Sequence, residues 1–192
     1  MKKLFLIFSF AFMAILFNAC LAKNVHEIKY YELGLDFMPK NCANFDENFK
    51  IPPKTSQKIS LKLRPVTASQ NLQTNDILIK SKSLELFSLD DARFTTSPAQ
   101  MLENTLIKAL SSDCDINLNQ NFAQNSLLVK ILEFYATSQN ATITATLWLN
   151  EKAILLSQSA PIKSSSNDEI IKAMDTAMQK LTKQILMIIK NN

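Results

Sequence analysis

Glycine and histidine are almost absent from this sequence of 192 residues, which contains one of each. Because Gly34 is the only glycine, the chain cannot form a glycine-rich phosphate-binding loop or the usual nucleophile elbow of a hydrolase. The only histidine, His26, lies in a short polar segment near the N-terminus, which is a poor position for a preorganised general base. The composition therefore predicts a protein that is not an enzyme, with no cofactor and no metal site.

The charge of the chain is nearly balanced, with 21 basic and 17 acidic side chains and a net charge of +4. Part of this small excess belongs to Lys2 and Lys3 at the N-terminus. Nucleic-acid-binding domains carry clusters of basic residues, and the sequence has no such cluster with interleaved aromatic residues. We therefore predict no nucleic-acid partner.

The first 19 residues have the parts of a secretory signal peptide. Lys2 and Lys3 form a charged start, the stretch Leu4–Phe17 is almost entirely apolar, and the small residue Ala19 precedes Cys20. As a helix, the apolar stretch would rise roughly 20 Å, which is less than the ~30 Å hydrocarbon core of a membrane. A cleaved signal is therefore favoured over the alternative, an uncleaved membrane anchor.

The end of this leader, Phe17–Cys20, resembles the bacterial lipobox, in which a signal peptidase cuts before a cysteine that then carries lipid. Two or more acyl chains on Cys20 would hold the protein firmly at a membrane, since one chain alone gives marginal binding. We predict that Cys20 is the lipid attachment site. The predicted organisation is a signal peptide at 1–19, a lipidated tether at 20–27 and one domain at 28–192.

The strands of this domain are predicted from alternation of apolar and polar residues. The first is Ile28–Gly34, and a loop punctuated by prolines follows at 35–57. The pair Asp90–Asp91 is interpreted as a surface loop rather than as an acid/base couple. The remaining predicted strands are Lys58–Val66, Asp76–Ser81, Leu84–Leu89, Ser126–Thr137, Ala141–Glu151 and Lys152–Gln158.

Two helices are predicted from capping residues followed by an apolar stripe. Ser97 is the expected N-cap of the first, with Pro98 at its first position. Ser166 is the expected N-cap of a long C-terminal helix, whose apolar stripe runs over Ile170–Ile189. The predicted fold class is α+β: a single domain in which a mostly antiparallel sheet, with its strands in meander order, carries two principal helices.

Cys42 and Cys114 are the two cysteines that remain if Cys20 carries lipid. An exported protein meets an oxidising compartment, and an even number of cysteines there indicates a disulfide bond. We predict a bond between Cys42 and Cys114. Two free thiols, or a metal site that also uses His26, are the alternatives.

Trp148 lies among threonines, on the less apolar side of its predicted strand. Large aromatic side chains are usually buried, so the favoured interpretation is that the C-terminal helix covers Trp148 within the core. In the alternative, Trp148 and Tyr135 form part of a docking surface for a partner or a lipid.

The order of the predicted elements, together with several short motifs, resembles the ABC-type transport auxiliary lipoprotein (PqiC-like) family. An early strand with the motif Tyr30–Tyr31–Glu32–Leu33 is one of these motifs. The resemblance covers nearly the whole mature chain. Its other segments are Leu63–Val66, Met101–Leu110, Leu128–Phe134, Ala141–Leu149 and Ile170–Ile189.

The resemblance implies a non-enzymatic envelope lipoprotein that faces the periplasm. It implies an auxiliary or docking subunit of an MCE-type ABC transporter, which moves phospholipid or other hydrophobic molecules between membranes. The implied partners are an MCE-domain protein, the ABC permease and its ATPase, and lipid itself. Leu21 directly follows the predicted lipidated cysteine, and the absence of aspartate there favours the outer membrane over the inner one.

Two functions of other classes remain as alternatives. One is a structural or assembly lipoprotein of the outer membrane without a transport role. The other is a periplasmic hydrolase, which the lack of any visible nucleophile and base disfavours.

Overall fold

A computed structural model of the chain describes residues 27–34, 58–119 and 121–192. The predicted signal peptide, Cys20, His26 and the predicted loop at 35–57 with Cys42 lie outside these residues. Within them, nine strands form one sheet with two α-helices and a short 3-10 helix at Gln70–Leu72. The elements are β1 Lys29–Tyr31, β2 Ile59–Leu63, β3 Thr67–Ala68, β4 Asp76–Lys80, β5 Leu86–Phe94, α1 Pro98–Ser111, β6 Ile116–Leu118, β7 Asn125–Ala136, β8 Asn140–Leu149, β9 Lys152–Pro161 and α2 Asn167–Lys190. The predicted α+β single domain is confirmed.

The long strand β7 organises the sheet. Along one edge it pairs antiparallel with β8, which in turn pairs antiparallel with β9. Along its other edge lie three short strands, β2, β3 and β4, and all three run parallel to β7. A strand of this length extends roughly 40 Å, which is long enough to carry three short neighbours in succession. The prediction of a meander is therefore right for β7, β8 and β9 and for the antiparallel pair of β4 with β5. It is wrong for the parallel pairing of β2 and β4 with β7.

The two arms of the sheet extend from these short strands. At one end of β7, β6 joins β2 in parallel. At the other end, β5 pairs antiparallel with β4, and β1 adds to β5 in parallel. The strands β3 and β6 were absent from the sequence prediction, because segments of two and three residues carry no periodic signal.

One face of the sheet is covered by both helices. Along β8, Ala141, Ile143, Ala145, Leu147 and Leu149 are buried, whereas the residues between them are only half-buried apart from exposed Asn140. The apolar stripe of α2 packs against this face, where Met174, Ala177 and Leu181 are fully buried. Burial of apolar surface at about 25 cal/mol per Å² makes this layer the main source of stability.

A β-bulge in β7 keeps its apolar residues on the covered face. Ile131 pairs with Ala145 and Glu133 pairs with Thr144, so Leu132 is the additional residue. Without this insertion, the alternation would direct Glu133 into the core and Phe134 away from it. With it, Phe134 is 1% exposed and stacks on Phe94 of β5 at a centroid distance of 5.9 Å.

The pair Asp90–Asp91 lies inside β5, so its assignment to a loop was wrong. The strand continues through both residues because β1 pairs with Ala92 and Phe94 beyond them, and these two side chains are fully buried. Both aspartates are exposed, and Asp91 Oδ1 accepts a hydrogen bond from Asn167 Nδ2 at 2.9 Å. The two aspartates lie in an irregular part of β5, between the pairing of Ser88 with Leu78 and that of Arg93 with Asp76.

The predicted helix caps are confirmed. Ser97 Oγ accepts a hydrogen bond from the Gln100 N–H at 3.4 Å, with Pro98 at the start of α1. Ser166 Oγ accepts from the Glu169 N–H at the same distance. Each cap satisfies a backbone donor that the helix itself leaves unpaired.

Gly34, the only glycine of the chain, joins the segment after β1 to both helices. Its φ is +77°, and its N–H donates a hydrogen bond of 2.6 Å to Asp175 Oδ1 of α2. A β-carbon at this position would overlap the Thr105 hydroxyl of α1 and lie 3.2 Å from its β-carbon. Thr105 is itself 1% exposed and donates to the Met101 carbonyl at 2.8 Å, so it has little room to move.

Lys190 fastens the end of α2 to the turn that contains Cys114. Its Nζ lies 2.7 Å from Asp113 Oδ2 and 3.1 Å from Asp115 Oδ2. The hydrogen bond to Asp113 is the main cause that raises the pKa of Lys190, against a smaller lowering by burial.

Replacing Lys190 with methionine is expected to lower the free energy of unfolding by about 1 kcal/mol, at the upper end for partly exposed ion pairs. Because the folded pKa is raised, this contribution is complete below the unfolded pKa of about 10.4 and disappears as the pH rises through the folded value. Urea unfolding at pH 8 and pH 11 should therefore show a smaller difference between variant and wild type at pH 11. Lys172→Met, which removes an exposed pair with Glu169 at 3.9 Å, is the control. A difference for Lys190→Met that stays constant up to pH 11 would contradict the assignment.

Candidate functional site

The described part of the chain offers two candidate surfaces, one on the sheet and one beside the β4–β5 hairpin. In residues 27–34, 58–119 and 121–192, no group of three or more histidine, cysteine, aspartate or glutamate side chains is placed to hold a metal ion. In the same ranges, every buried side-chain nitrogen or oxygen has a hydrogen-bond partner. Neither α1 nor α2 is long and apolar enough to cross a membrane.

The first candidate surface is the face of β7, β8 and β9 that the helices leave uncovered, here called the open face. It is polar along β8, where Thr144 Oγ1 is 3.3 Å from Glu133 Oε2 and 3.1 Å from Ser157 Oγ. Its residues, from β7 to β9, are Leu128, Lys130, Glu133, Tyr135, Thr142, Thr144, Thr146, Trp148, Ala153, Leu155, Ser157 and Ser159.

Trp148 is half-buried on the open face, so the favoured interpretation of Trp148 as a core residue was wrong. The helices cover the opposite face of β8, because the apolar residues on that face offer more surface for burial than one tryptophan among threonines. Trp148 lies beside Leu128 of β7 and Ala153 of β9. Together they form an apolar patch at one end of the open face.

Tyr135 lies on the same face but not beside Trp148. Its register partner on β8 is Thr142, which is six residues or roughly 20 Å from Trp148 along the strand. Lys80 Nζ lies 4.7 Å from the centroid of the Tyr135 ring, within the range of a cation–π interaction. The two predicted surface residues therefore occupy opposite ends of the open face.

The second candidate surface is a groove beside the β4–β5 hairpin, here called the hairpin groove. It has a volume of about 560 Å³ and lies between the hairpin, the β7–β8 turn and the start of α2. Its apolar lining contains Ile79, Phe87, Leu89, Ile162 and Ile170, and Lys80 and Lys82 lie at its margin.

The hairpin groove continues into exposed apolar side chains at the tip of the hairpin. Leu84 is 74% exposed, and Leu86 and Phe87 are each about half exposed. Leu84 also has a φ of +67°, which is rare for a bulky residue. Sequence analysis missed this surface. One feature of the sequence could have indicated the exposed hairpin tip: the apolar segment Leu84–Leu89 directly follows Lys80 and Lys82. The alternation of its residues led to its assignment as an ordinary strand.

The tyrosine motif of the early strand divides between core and surface. Leu33 is 3% exposed and Tyr31 is partly buried against the core, whereas Tyr30 is 66% exposed. The Tyr31 hydroxyl donates a hydrogen bond of 2.9 Å to Asp168 Oδ1 at the start of α2. Burial, followed by this hydrogen bond, raises the pKa of Tyr31. Tyr31 and Leu33 therefore hold β1 in place, and Tyr30 is available at the surface.

Cys114 lies in the turn between α1 and β6 and takes part in a disulfide bond. Cys20 and Cys42, the other cysteines of the chain, lie outside the described residues. The pairing of Cys42 with Cys114 therefore stays a prediction.

Comparison with solved structures identifies proteins of the same fold. The crystal structure of an uncharacterized protein covers 85% of this chain and 99% of its own at 16% identity, with a TM-score of 0.64. The crystal structure of XCC0632 from Xanthomonas campestris covers 82% of this chain and 92% of its own at 14% identity, with a TM-score of 0.61. At these identities the likeness concerns the fold alone.

Comparison with curated proteins finds no match. The family model of the ABC-type transport auxiliary lipoprotein component, in contrast, matches residues 49–186. The matched region contains every element from β2 to β9 and most of α2, which is well over half of the sequence. The chain therefore belongs to the ABC-type transport auxiliary lipoprotein family.

Proposed function

We propose that this protein is a non-enzymatic, lipid-anchored docking subunit of an MCE-type ABC transporter that moves phospholipid or another hydrophobic molecule between membranes. The observation that carries the proposal is its membership of a family described as an auxiliary lipoprotein of ABC-type transport. The lipobox-like segment ending at Cys20 supports the anchor. Leu21, in place of an aspartate after that cysteine, favours the outer membrane.

The open face is the surface we assign to the protein partner. Trp148 is half-buried there beside Leu128 and Ala153, and a partly accessible tryptophan within a small apolar patch is typical of an energetic anchor in protein interfaces. The threonine row of β8 supplies hydroxyl groups around it, as in the polar rim of an interface. We assign this surface to an MCE-domain protein or an ABC subunit, because an aromatic anchor with hydroxyl groups beside it is the arrangement of a protein interface.

The hairpin groove is the surface we assign to lipid. Its volume lies within the usual range for ligand sites, about 300–1,000 Å³, and its lining is mostly apolar. Lys80 and Lys82 at its margin would attract a phosphate headgroup, as basic residues do at anionic membrane surfaces. Exposed Leu84 and Phe87 would meet acyl chains at its mouth.

Site-specific photo-crosslinking in intact cells tests both assignments. A photoreactive phenylalanine analogue is placed at the positions of Trp148 and Phe87, with the position of Ile107 as the control. Ile107 is also exposed, at 42%, but lies on α1 away from both surfaces. We expect position 148 to capture an MCE-domain protein or an ABC subunit, position 87 to capture phospholipid, and position 107 to capture neither.

Capture of neither class at positions 148 and 87, with normal export of the protein, would overturn the transport role. Capture of outer-membrane assembly proteins alone would instead favour the structural alternative. Capture by position 107 at the level of the other two would show that the products reflect collision rather than docking.

A further inference from the structure

The outer edge of β9 is a long strand edge without a neighbouring strand in the described part of the chain. Over Lys152–Pro161, this strand pairs with β8 on its inner side. Sheet edges of this length invite pairing with another strand, and proteins usually shorten, cover or charge them. The outer edge of β9 is therefore a candidate site for pairing with another strand.

Hydrogen bonds already in place identify which backbone groups of β9 point outward. The Ile162 N–H donates to the Gln139 carbonyl at 2.7 Å, so even-numbered residues of this segment face β8. The odd-numbered residues then face outward, because backbone groups alternate in direction along a strand. In agreement, the Ser159 carbonyl accepts a hydrogen bond of 2.8 Å from Lys180 Nζ of α2.

The far end of the outer edge is closed to a further strand. The Ser159 carbonyl already accepts the hydrogen bond from Lys180 Nζ. Pro161 also faces outward, and it has no N–H to donate. Within residues 27–34, 58–119 and 121–192, no strand or backbone donor pairs with the outward groups of three residues in the middle: Ala153, Leu155 and Ser157. Leu155 is the centre of this segment, and its side chain is 67% exposed.

We infer that this edge pairs with the same edge of a second copy of the chain, antiparallel and centred on Leu155. In that register Leu155 faces Leu155 of the partner, and Ala153 faces the partner's Ser157. All three free residues of each copy are then paired, with about six backbone hydrogen bonds in total. A shift of the register axis by one residue would bring Ser159, which is already bound by Lys180, into the ladder. A two-fold axis makes such an edge self-complementary.

Side chains support the same register. The exposed leucine at position 155 meets its symmetry mate, so apolar surface is buried at the centre of the contact. Glu151, in the turn before β9, lies opposite Ser159 of the second copy, whose carbonyl holds Lys180. Two Glu151–Lys180 pairs of opposite charge therefore flank the ladder. The inference is independent of the proposed transport role.

Disulfide capture in the full chain tests the register. Directly opposed residues of a hydrogen-bonded antiparallel pair have α-carbons ~5.5 Å apart, within the range of a disulfide bond. Leu155→Cys, expressed with its own leader and examined in membranes without reductant, should give a reducible band at twice the monomer mass. Ser157→Cys is the matched control, because its two copies would be roughly 13 Å apart and could not bond.

Proline substitution tests the backbone ladder without relying on cysteine. Leu155→Pro removes an outward N–H and leaves the bonds to β8, so the strand should persist, as it does at Pro161. Chemical crosslinking should then give roughly tenfold less dimer, because two ladder bonds are lost. Ser159→Pro, outside the shared ladder, should leave the dimer intact.

The inference is overturned by any of three results. One is a Leu155→Cys protein that stays monomeric or bonds to a different protein. Another is equal dimer yield from Leu155→Cys and Ser157→Cys. A Leu155→Pro protein that folds, as judged by circular dichroism, and still crosslinks like wild type would also overturn it.

Discussion

Replacing Gly34 with alanine is expected to lower the free energy of unfolding by about 3 kcal/mol, from a left-handed φ costing 1–2 and an overpacked contact costing 1–3. The φ of +77° accounts for the first part, and the overlap of a β-carbon with the Thr105 hydroxyl accounts for the second. Domains of this size have a free energy of unfolding of roughly 5–15 kcal/mol. The methyl group of alanine at position 34 would therefore remove a large share of the stability of the domain. Urea unfolding followed by circular dichroism measures the change.

A double-mutant cycle separates the two causes. Thr105→Ala alone removes the hydroxyl that Gly34→Ala would strike, at a cost of about 1 kcal/mol for the lost hydrogen bond and contacts. In the double variant the overlap with the hydroxyl is relieved, and the backbone strain and the 3.2 Å contact with the β-carbon of residue 105 remain. We therefore expect the double variant to be more stable than the sum of the two single losses predicts, by about 1–2 kcal/mol. Strictly additive losses, or a Gly34→Ala protein as stable as wild type, would contradict the described packing.

Replacing Cys20 with alanine is expected to abolish fatty-acid labelling of the protein and its cleavage before residue 20. The reason is chemical, because the acyl chains attach through the cysteine sulfur, and two or more chains are needed for firm anchoring. Metabolic labelling with an alkyne fatty acid, together with the mass of the mature N-terminus, measures both effects. The uncleaved leader would be a weak anchor, since Leu4–Phe17 spans roughly 20 Å as a helix.

The control for this experiment is Cys114→Ala, which also removes one cysteine but should keep both labelling and cleavage. A Cys20→Ala protein that is still labelled and processed like wild type would overturn the lipoprotein assignment. Loss of labelling in both variants would point to a failure of export rather than of lipid attachment.

Local patterns predicted the elements of this fold better than their arrangement. The strict alternation in β8 and the serine caps of both helices depend on residues close in sequence, and they were predicted correctly. The parallel pairing of β2 and β4 with β7 depends on contacts between residues some sixty positions apart. Such pairings are selected by total burial and chain connectivity, which no short window of sequence contains.

The candidate surfaces show the same division. The alternation in β8 correctly predicted that Trp148 lies on the face opposite the apolar residues. The prediction that Trp148 is buried was wrong because it followed the general tendency of aromatic residues rather than this local pattern. The bulge at Leu132 could have been found from sequence, because the apolar period shifts by one residue between Ile131 and Phe134. The hairpin groove could not, because it arises where β4, the β7–β8 turn and α2 meet.

The attachment of β1 has a mechanical consequence. The Thr95 N–H donates to the Tyr31 carbonyl, the Tyr31 hydroxyl binds Asp168, and the Gly34 N–H binds Asp175. Asp168 and Asp175 are two turns apart on α2, a separation of roughly 10 Å. A pull on the N-terminal side of β1 is therefore shared between a strand and two points of the longest helix. The domain can therefore bear tension at this end without load passing first through the open face.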